Sequence, residues 1–202
     1  METARSHPPR LGVLLSGTGR TLENLAGEIR AGRLAAKIVR VIASRHDAYG
    51  LVRARNLRLP ADVISPKSFA DAADMSGAIF DAMRAAKADL VVLAGWLHLL
   101  RIPPDFERRV LNIHPALLPA FGGKGYFGHR VHEAVIAAGA TESGCTAHVV
   151  DNEYDHGEII LQRKVPVLPG DTADALADRV FAEECIAYPE AIRRWMEGKR
   201  GS

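Results

Sequence analysis

Cysteine is scarce in this chain of 202 residues: there are two, Cys145 and Cys185, with no CxxC spacing between or around them. That argues against a disulfide framework and a cysteine-based zinc site, and it fits a reducing cytoplasm. No apolar run reaches the roughly 18 residues that cross a bilayer, and the opening METARSHPPR has no apolar core of signal-peptide length. An excess of one charge is also missing. Lys and Arg number 26 against 24 Asp and Glu, a formal net charge of +2, which gives no electrostatic case for nucleic acid or a membrane surface. There is no internal repeat and no low-complexity linker. Hydrophobic residues at 48% and charged residues at 25% are ordinary for a soluble protein. At this length one α/β domain is the default, burying about 70% of the surface of its unfolded chain. The expected organisation is a flexible tail over 1–10 and a single domain over 11–198.

What is present is a regular alternation of apolar runs with segments of helical spacing. Leu11–Leu15, Lys37–Ala43, Ala61–Ile64 and Asp89–Ala94 read as strands, and Val110 starts another that ends at His114-Pro115. Leu22, Leu25, Ala26 and Ile29 recur at helical spacing, as do the apolar residues between Phe69 and Ala86. The alternation predicts right-handed βαβ crossovers, hence an open, mostly parallel α/β sheet with helices on both faces. Asp89–Ala94 is almost wholly apolar, which puts it at the centre. Cys145–Val150 and Glu158–Val167 read as an antiparallel strand pair toward the C-terminal end. A long helix follows the turn Pro169-Gly170-Asp171-Thr172, and Pro189 is expected to interrupt it near Tyr188.

Four segments carry chemistry. Ser16-Gly17-Thr18-Gly19-Arg20-Thr21 lies between a strand and a helix, where flexible glycines and unpaired helix N–H groups suit an anion. It lacks the Gly-Lys-Ser/Thr of a Walker loop and the third glycine of a dinucleotide fingerprint, so a monophosphate fits better. A tight turn beside a solvated arginine would look the same. Gly95-Trp96-Leu97-His98-Leu99-Leu100 follows the central strand and could line a flat organic ligand or simply be core. In LNIHPALLP, residues 111–119, Asn112 and His114 are two apart on a strand and share a side. By themselves they serve equally as turn and core side chains. Asp151, Glu153 and Asp155 form an acidic loop without the calcium-loop spacing. His129 and His132 lack a local third zinc ligand. Residues 120–128, AFGGKGYFG, form a glycine-rich, aromatic loop. Glu184 reads as a solvated helix glutamate that could also meet ligand hydroxyls.

Together SGTGRTLENL, VVLAGWLHLL, LNIHPALLP and YDHGEIILQRKVPVLPGDT resemble the folate-dependent formyltransferase family over almost the whole chain. The glycine loop and the short chain resemble the members that act on glycinamide ribonucleotide in purine biosynthesis. The resemblance implies a Rossmann-like fold and transfer of a formyl group from 10-formyltetrahydrofolate, as co-substrate, to the primary amine of glycinamide ribonucleotide. It implies Asn112, His114 and Asp155 as the catalytic set. Gly17, Thr18, Gly19, Arg20 and Thr21 would hold the substrate phosphate and Glu184 the ribose. Leu97, His98, Leu99, Leu100, Val150 and Asp151 would hold the folate. No metal is implied.

The chain departs from the family pattern at Arg20 and Thr21, where serine and asparagine are usual, and at His98, where a basic residue is common. An arginine that binds substrate in other members has no clear match, although Lys67 lies in the region. The expected partners are these two small molecules, without nucleic acid or membrane; a homodimer is compatible with the sequence. Two other readings share features. A 10-formyltetrahydrofolate hydrolase would use water as acceptor, and a non-catalytic phosphate- or folate-binding module would not need Asn112, His114 and Asp155 together.

Overall fold

The apolar runs become strands because they are sealed on both faces, and the helical segments supply the seal. A computed structural model describes residues 7–198. In chain order these form β1 (Arg10–Leu15), α1 (Arg20–Arg30), β2 (Lys37–Ala43), α2 (Tyr49–Asn56), β3 (Ala61–Val63), α3 (Ala72–Ala85) and β4 (Leu90–Leu93). There follow β5 (Val110–His114), α4 (His129–Ala137), β6 (Glu142–Val149), β7 (Ile159–Pro166) and α5 (Ala173–Gly198). Among the described residues the strands make one seven-stranded sheet in the order β3-β2-β1-β4-β5-β6-β7. Pairing is parallel from β3 to β5 and antiparallel from β5 to β7.

All four residues of β4 are buried, as the unbroken Leu90-Val91-Val92-Leu93 run requires of a strand covered on both sides. One apolar layer joins the sheet to α1 and α5 through Leu22, Leu25, Val180 and Tyr188. The opposite layer packs Met75, Ile79, Phe80 and Met83 of α3 against Val91 and Leu93. Tyr188 is fully buried, and its hydroxyl faces Leu93 O at 3.0 Å and Leu111 O at 2.9 Å. This pins α5 beneath the two strands that end at the site.

Three expectations need correction. Residues 1–6 of the expected tail lie outside the described residues, but its end is tied down. Pro9 O accepts the Lys37 N–H at 2.8 Å, Arg10 opens β1, and the Arg10 guanidinium bonds Lys87 O and Ala86 O. Strand β6 starts at Glu142 rather than Cys145, because its ladder with β7 runs out to Glu142 opposite Pro166, with a Glu142–Lys164 ion pair at 2.9 Å.

Pro189 does not end the last helix, which continues from Ala173 to Gly198. A proline in that place leaves the carbonyl four residues earlier without its helical N–H. That carbonyl belongs to Cys185, and the Asn24 side chain from α1 donates to it at 3.0 Å. The missing bond is replaced from a neighbouring helix.

Candidate active site

The strand order reverses between β1 and β4, since the chain goes outward from β1 to β3 and then returns to the other side of β1. Loops leaving the carboxyl ends of strands diverge at such a point and open a crevice. Here they are residues 16–19 and 95–100. Ser16 holds them together: its N–H donates to Gly95 O at 3.0 Å, and its Oγ accepts Leu97 N–H at 3.1 Å and the Ser44 hydroxyl at 2.8 Å. Gly19 caps α1 at φ 75°, and a Cβ there would meet the Gly50 Cα at 2.6 Å. Only glycine fits that left-handed, crowded position.

Two clefts flank these loops. The first, about 340 Å³, is lined on one wall by Leu97, His98, Leu99 and Leu100 and on the other by Val150, Asp151 and Tyr154, with Asn112, His114 and Asp155 at its polar end. The second, about 500 Å³, is walled by Gly17–Thr21 and by Phe127–Arg130. Gly95, Leu97, Phe127 and Gly128 border both, so the clefts adjoin.

The polar end is built by antiparallel register. Asn112 of β5 pairs with His148 of β6, and His114 pairs with Thr146. Thr146 accepts Leu118 N–H at 3.0 Å and donates to Ala116 O at 2.6 Å, anchoring the segment after His114-Pro115. Asp155 enters from the acidic loop at φ 52°, and Phe121 stands at φ 55°. Such conformations cost about 1 kcal/mol or more for a non-glycine residue and recur at functional sites.

The contacts around Asp155 are specific. His114 Nδ1 lies 3.5 Å from Asp155 Oδ2, which also accepts Gly123 N–H at 3.0 Å. His114 Nε2–H donates to Phe121 O at 2.8 Å, so the neutral ring presents a bare Nδ1 to the carboxylate. Asn112 Nδ2 is 3.1 Å from His148 Nε2 and 3.4 Å from Asp155 Oδ1. His148 Nδ1 lies 2.9 Å from Val149 O, and its Nε2 also stands 3.7 Å from Asp155 Oδ1. His114 and His148 are only 3% and 2% exposed.

Burial pushes His114 below the ordinary imidazole range; the Asp155 charge and the Phe121 carbonyl pull the other way without overcoming it. For Asp155, burial opposes ionisation, but the two facing imidazoles and the Gly123 N–H outweigh it and hold the carboxyl below its usual range. The resting state at neutral pH is therefore a neutral His114 beside an ionised Asp155. That pairing can take up a proton at Nδ1 and hold it.

The structure brings together Asn112, His114 and Asp155 at one end of the first cleft, with Leu97–Leu100, Val150 and Asp151 along it. Within the apolar loop Trp96 is mostly buried yet still borders the cleft, whereas Leu97 is 43% exposed and faces it. Gly17–Thr21 all line the second cleft. Arg20, however, is turned onto α5, its guanidinium 3.9 Å from the Phe181 ring centre and 3.2 Å from Asp178 Oδ1. Glu184 lines neither cleft, and it is not the solvated glutamate that its helix position indicates. It is partly buried, and burial pushes its carboxyl up to about 8 against the pull of Arg20. Lys67 is exposed and lines neither cleft. His129 faces Asp174 at 3.6 Å and Glu133 at 4.0 Å, while His132 is buried with its Nδ1 unpartnered. Cys145 is buried, which pushes its thiol up to about 12 and leaves it inert.

His148 is the residue of the polar end that motif reading passes over, and the linking role of Ser16 is not contained in its motif. The signal for His148 was available. Thr146 and His148 alternate in CTAHVV just as Asn112 and His114 alternate in LNIH, and two such polar pairs on neighbouring strands can share a face. Which strand neighbours which is not in the motif.

The family model described as formyl transferase matches residues 9–192. A phosphoribosylglycinamide formyltransferase of Haemophilus influenzae is 38% identical over 192 residues, covering 94% of this chain and 88% of that protein. A chloroplastic phosphoribosylglycinamide formyltransferase of Vigna unguiculata is 41% identical across 93% of this chain, which spans 61% of the plant protein's length. Among solved structures, glycinamide ribonucleotide transformylase 1 from Symbiobacterium toebii superposes with a TM-score of 0.88 at 41% identity, covering 96% of this chain and 90% of that one. With its seven-stranded switch-point sheet and this similarity along nearly its whole length, the chain belongs to the formyl transferase family.

Proposed function

We propose that this protein transfers the formyl group of 10-formyltetrahydrofolate to the primary amine of glycinamide ribonucleotide, in the cytoplasm, as a step of purine biosynthesis. The observation that carries the reading is the convergence of Asn112, His114 and Asp155 where an apolar cleft adjoins a glycine-loop cleft. A flat pterin suits the first cleft: its volume of about 340 Å³ and its leucine wall match a small organic ligand with one polar end. 10-Formyltetrahydrofolate supplies the activated formyl carbon. Leu97–Leu100, Val150 and Asp151 hold the folate, and Gly17–Thr21 hold the phosphate through backbone N–H groups at the start of α1.

Amine attack on the formyl carbon places negative charge on its oxygen and positive charge on the nitrogen. Asn112 Nδ2–H is aimed into the polar end and stabilises that oxygen. His114 Nδ1, supported by Asp155, receives the amine's proton through a water. The resulting imidazolium stands beside the oxyanion and then returns the proton to the departing folate nitrogen. The 3.5 Å and 3.4 Å separations about Asp155 are long for hydrogen bonds, so both groups are free to tighten onto substrate. No covalent enzyme intermediate is required. Glu184 is assigned to the ribose hydroxyls although it lines neither cleft; what supports the assignment is its nearness to Arg20, whose charge it feels at the border of the glycine-loop cleft.

The test is a product assay with purified protein, 10-formyltetrahydrofolate and glycinamide ribonucleotide, each omitted in turn. Formylated ribonucleotide should form only when both are present. Release of formate that ignores the ribonucleotide would replace this reading with a hydrolase.

A further inference from the structure

The glycine-loop cleft poses a charge problem. A phosphate monoester brings close to two negative charges, and backbone N–H groups supply only partial ones. The cation that sequence order puts beside the loop is Arg20, but its guanidinium is shared with Asp178 and stacked on Phe181. Arg53, close to the loop, donates to Thr18 O and is paired with Glu23. His129 faces Asp174 and Glu133. Across the cleft stands Arg130, in the first turn of α4. Its guanidinium lies 5.0 Å from the Phe127 ring centre, and both side chains line the cleft. Among the described residues, Arg130 is the one cation lining this cleft that has no acidic partner.

We infer that Arg130 is the side-chain ligand of the substrate's phosphate, closing the glycine-loop site from the opposite wall. Phe127 orients it: stacking holds the guanidinium plane at the cleft edge without neutralising it. Its five N–H donors match a phosphate's geometry in a way that a paired arginine cannot. The role also gives the 120–128 segment a second end. Its start holds the catalytic groups, through Phe121 O on His114 and Gly123 N–H on Asp155, while its end carries Phe127 and leads directly into Arg130. A phosphate gripped by Arg130 would fix the far end of the same loop. Lys67 is outside both clefts, and Lys124 lines only the first.

This inference rests on the substrate reading above, and the experiment separates the two. Binding of inorganic phosphate to wild type, Arg130→Ala and Arg130→Lys is measured by calorimetry, which needs no turnover. Turnover is then measured with glycinamide ribonucleotide and with its phosphate-free riboside. Arg130→Ala should weaken phosphate binding and raise KM for the ribonucleotide by about 10- to 100-fold, the value of a charge-assisted bidentate contact. Its kcat should stay within about threefold and KM for the riboside should not change. Arg130→Lys should restore part of the loss by charge alone. Arg130 is exposed, so the melting temperature serves as a folding control. Equal phosphate affinity in wild type and Arg130→Ala would overturn the inference. Phosphate binding that depends on Arg130 in a protein that does not formylate the ribonucleotide would overturn only the substrate reading.

Discussion

The parallel and antiparallel halves of the sheet contribute different kinds of group to one site. From the parallel half come loops: Gly17–Thr21 after β1 and Gly95–Leu100 after β4, which line the clefts through backbone and apolar surface. From the antiparallel half come side chains in register, Asn112 against His148 and His114 against Thr146. The difference is geometric. Parallel strands deliver all their carboxyl ends to one edge and so gather loops there. An antiparallel pair sets residues directly opposite one another with Cβ atoms about 5 Å apart, near enough for side chains to bond. Loops and in-register side chains thereby meet along one sheet edge, with Ser16 and the 120–128 segment as the links between them, and the loop after β6 adds Val150 and Asp151 to the cleft wall.

The sharpest way to break this comparison is His114→Ala. If the in-register side chains carry the chemistry, kcat should fall by about 10²–10⁴ with both KM values changed less than about threefold. A mutant whose loss lies in KM would erase the division. In the same profile, wild-type kcat/KM should persist as pH drops past 6.5 and decline only below it, because burial keeps His114 deprotonated to lower pH. Asp155→Asn removes the charge that favours the imidazolium, so whatever activity remains should show its acid limb at still lower pH.

The next effect concerns stability at the end of the linking segment. His132 is buried and pushed down to about 4, by burial first and then by the neighbouring His129 and His114. The unfolded chain takes up this proton near 6.5 and the folded chain only near 4, so stability present above 6.5 is lost as pH falls through that window. The loss is on the order of 3 kcal/mol. Glu184 acts in the opposite sense: with its folded value at about 8, it favours the folded state at lower pH. The measurement is therefore a difference, wild type minus His132→Gln, in urea unfolding at several pH values. A difference that stays flat from pH 7 to 4 would remove His132 from the account.

Gly19→Ala tests the binding half. Left-handed strain together with the Gly50 contact should cost about 2 kcal/mol in stability and raise KM for the ribonucleotide while sparing kcat. A kcat defect equal to the KM defect would show that the loop also shapes the chemistry. The smallest expected effect is that of Asn24→Ala. It leaves Cys185 O without its replacement donor and should lower stability by about 1 kcal/mol, with activity unchanged. No change in melting temperature would mean that water serves the carbonyl equally well.

The strands were legible because their apolar runs are unbroken, and β2 keeps the limits Lys37–Ala43 that its sequence indicates. The glycine loop was legible because a strand, two glycines and a helical pattern adjoin without a gap. The N-terminal limit was missed because Arg10 reads as polar tail, yet its guanidinium caps the carbonyls that end α3. The continuity of α5 through Pro189 was missed because the compensating donor is in α1.

The sequence by itself determined the alternation, the sheet type, the glycine turn and the pairing of Asn112 with His114, since each depends on residues close together in the chain. Only the tertiary structure decided which of these meet. It set His148 opposite Asn112 and brought Asp155 onto both. It turned Arg20 away to Asp178 and, among the described residues, left Arg130 without an acidic partner at the cleft. The physical reason is that these are relations across strand register and between packed helices, which are fixed by the burial of the whole sheet rather than by any local pattern.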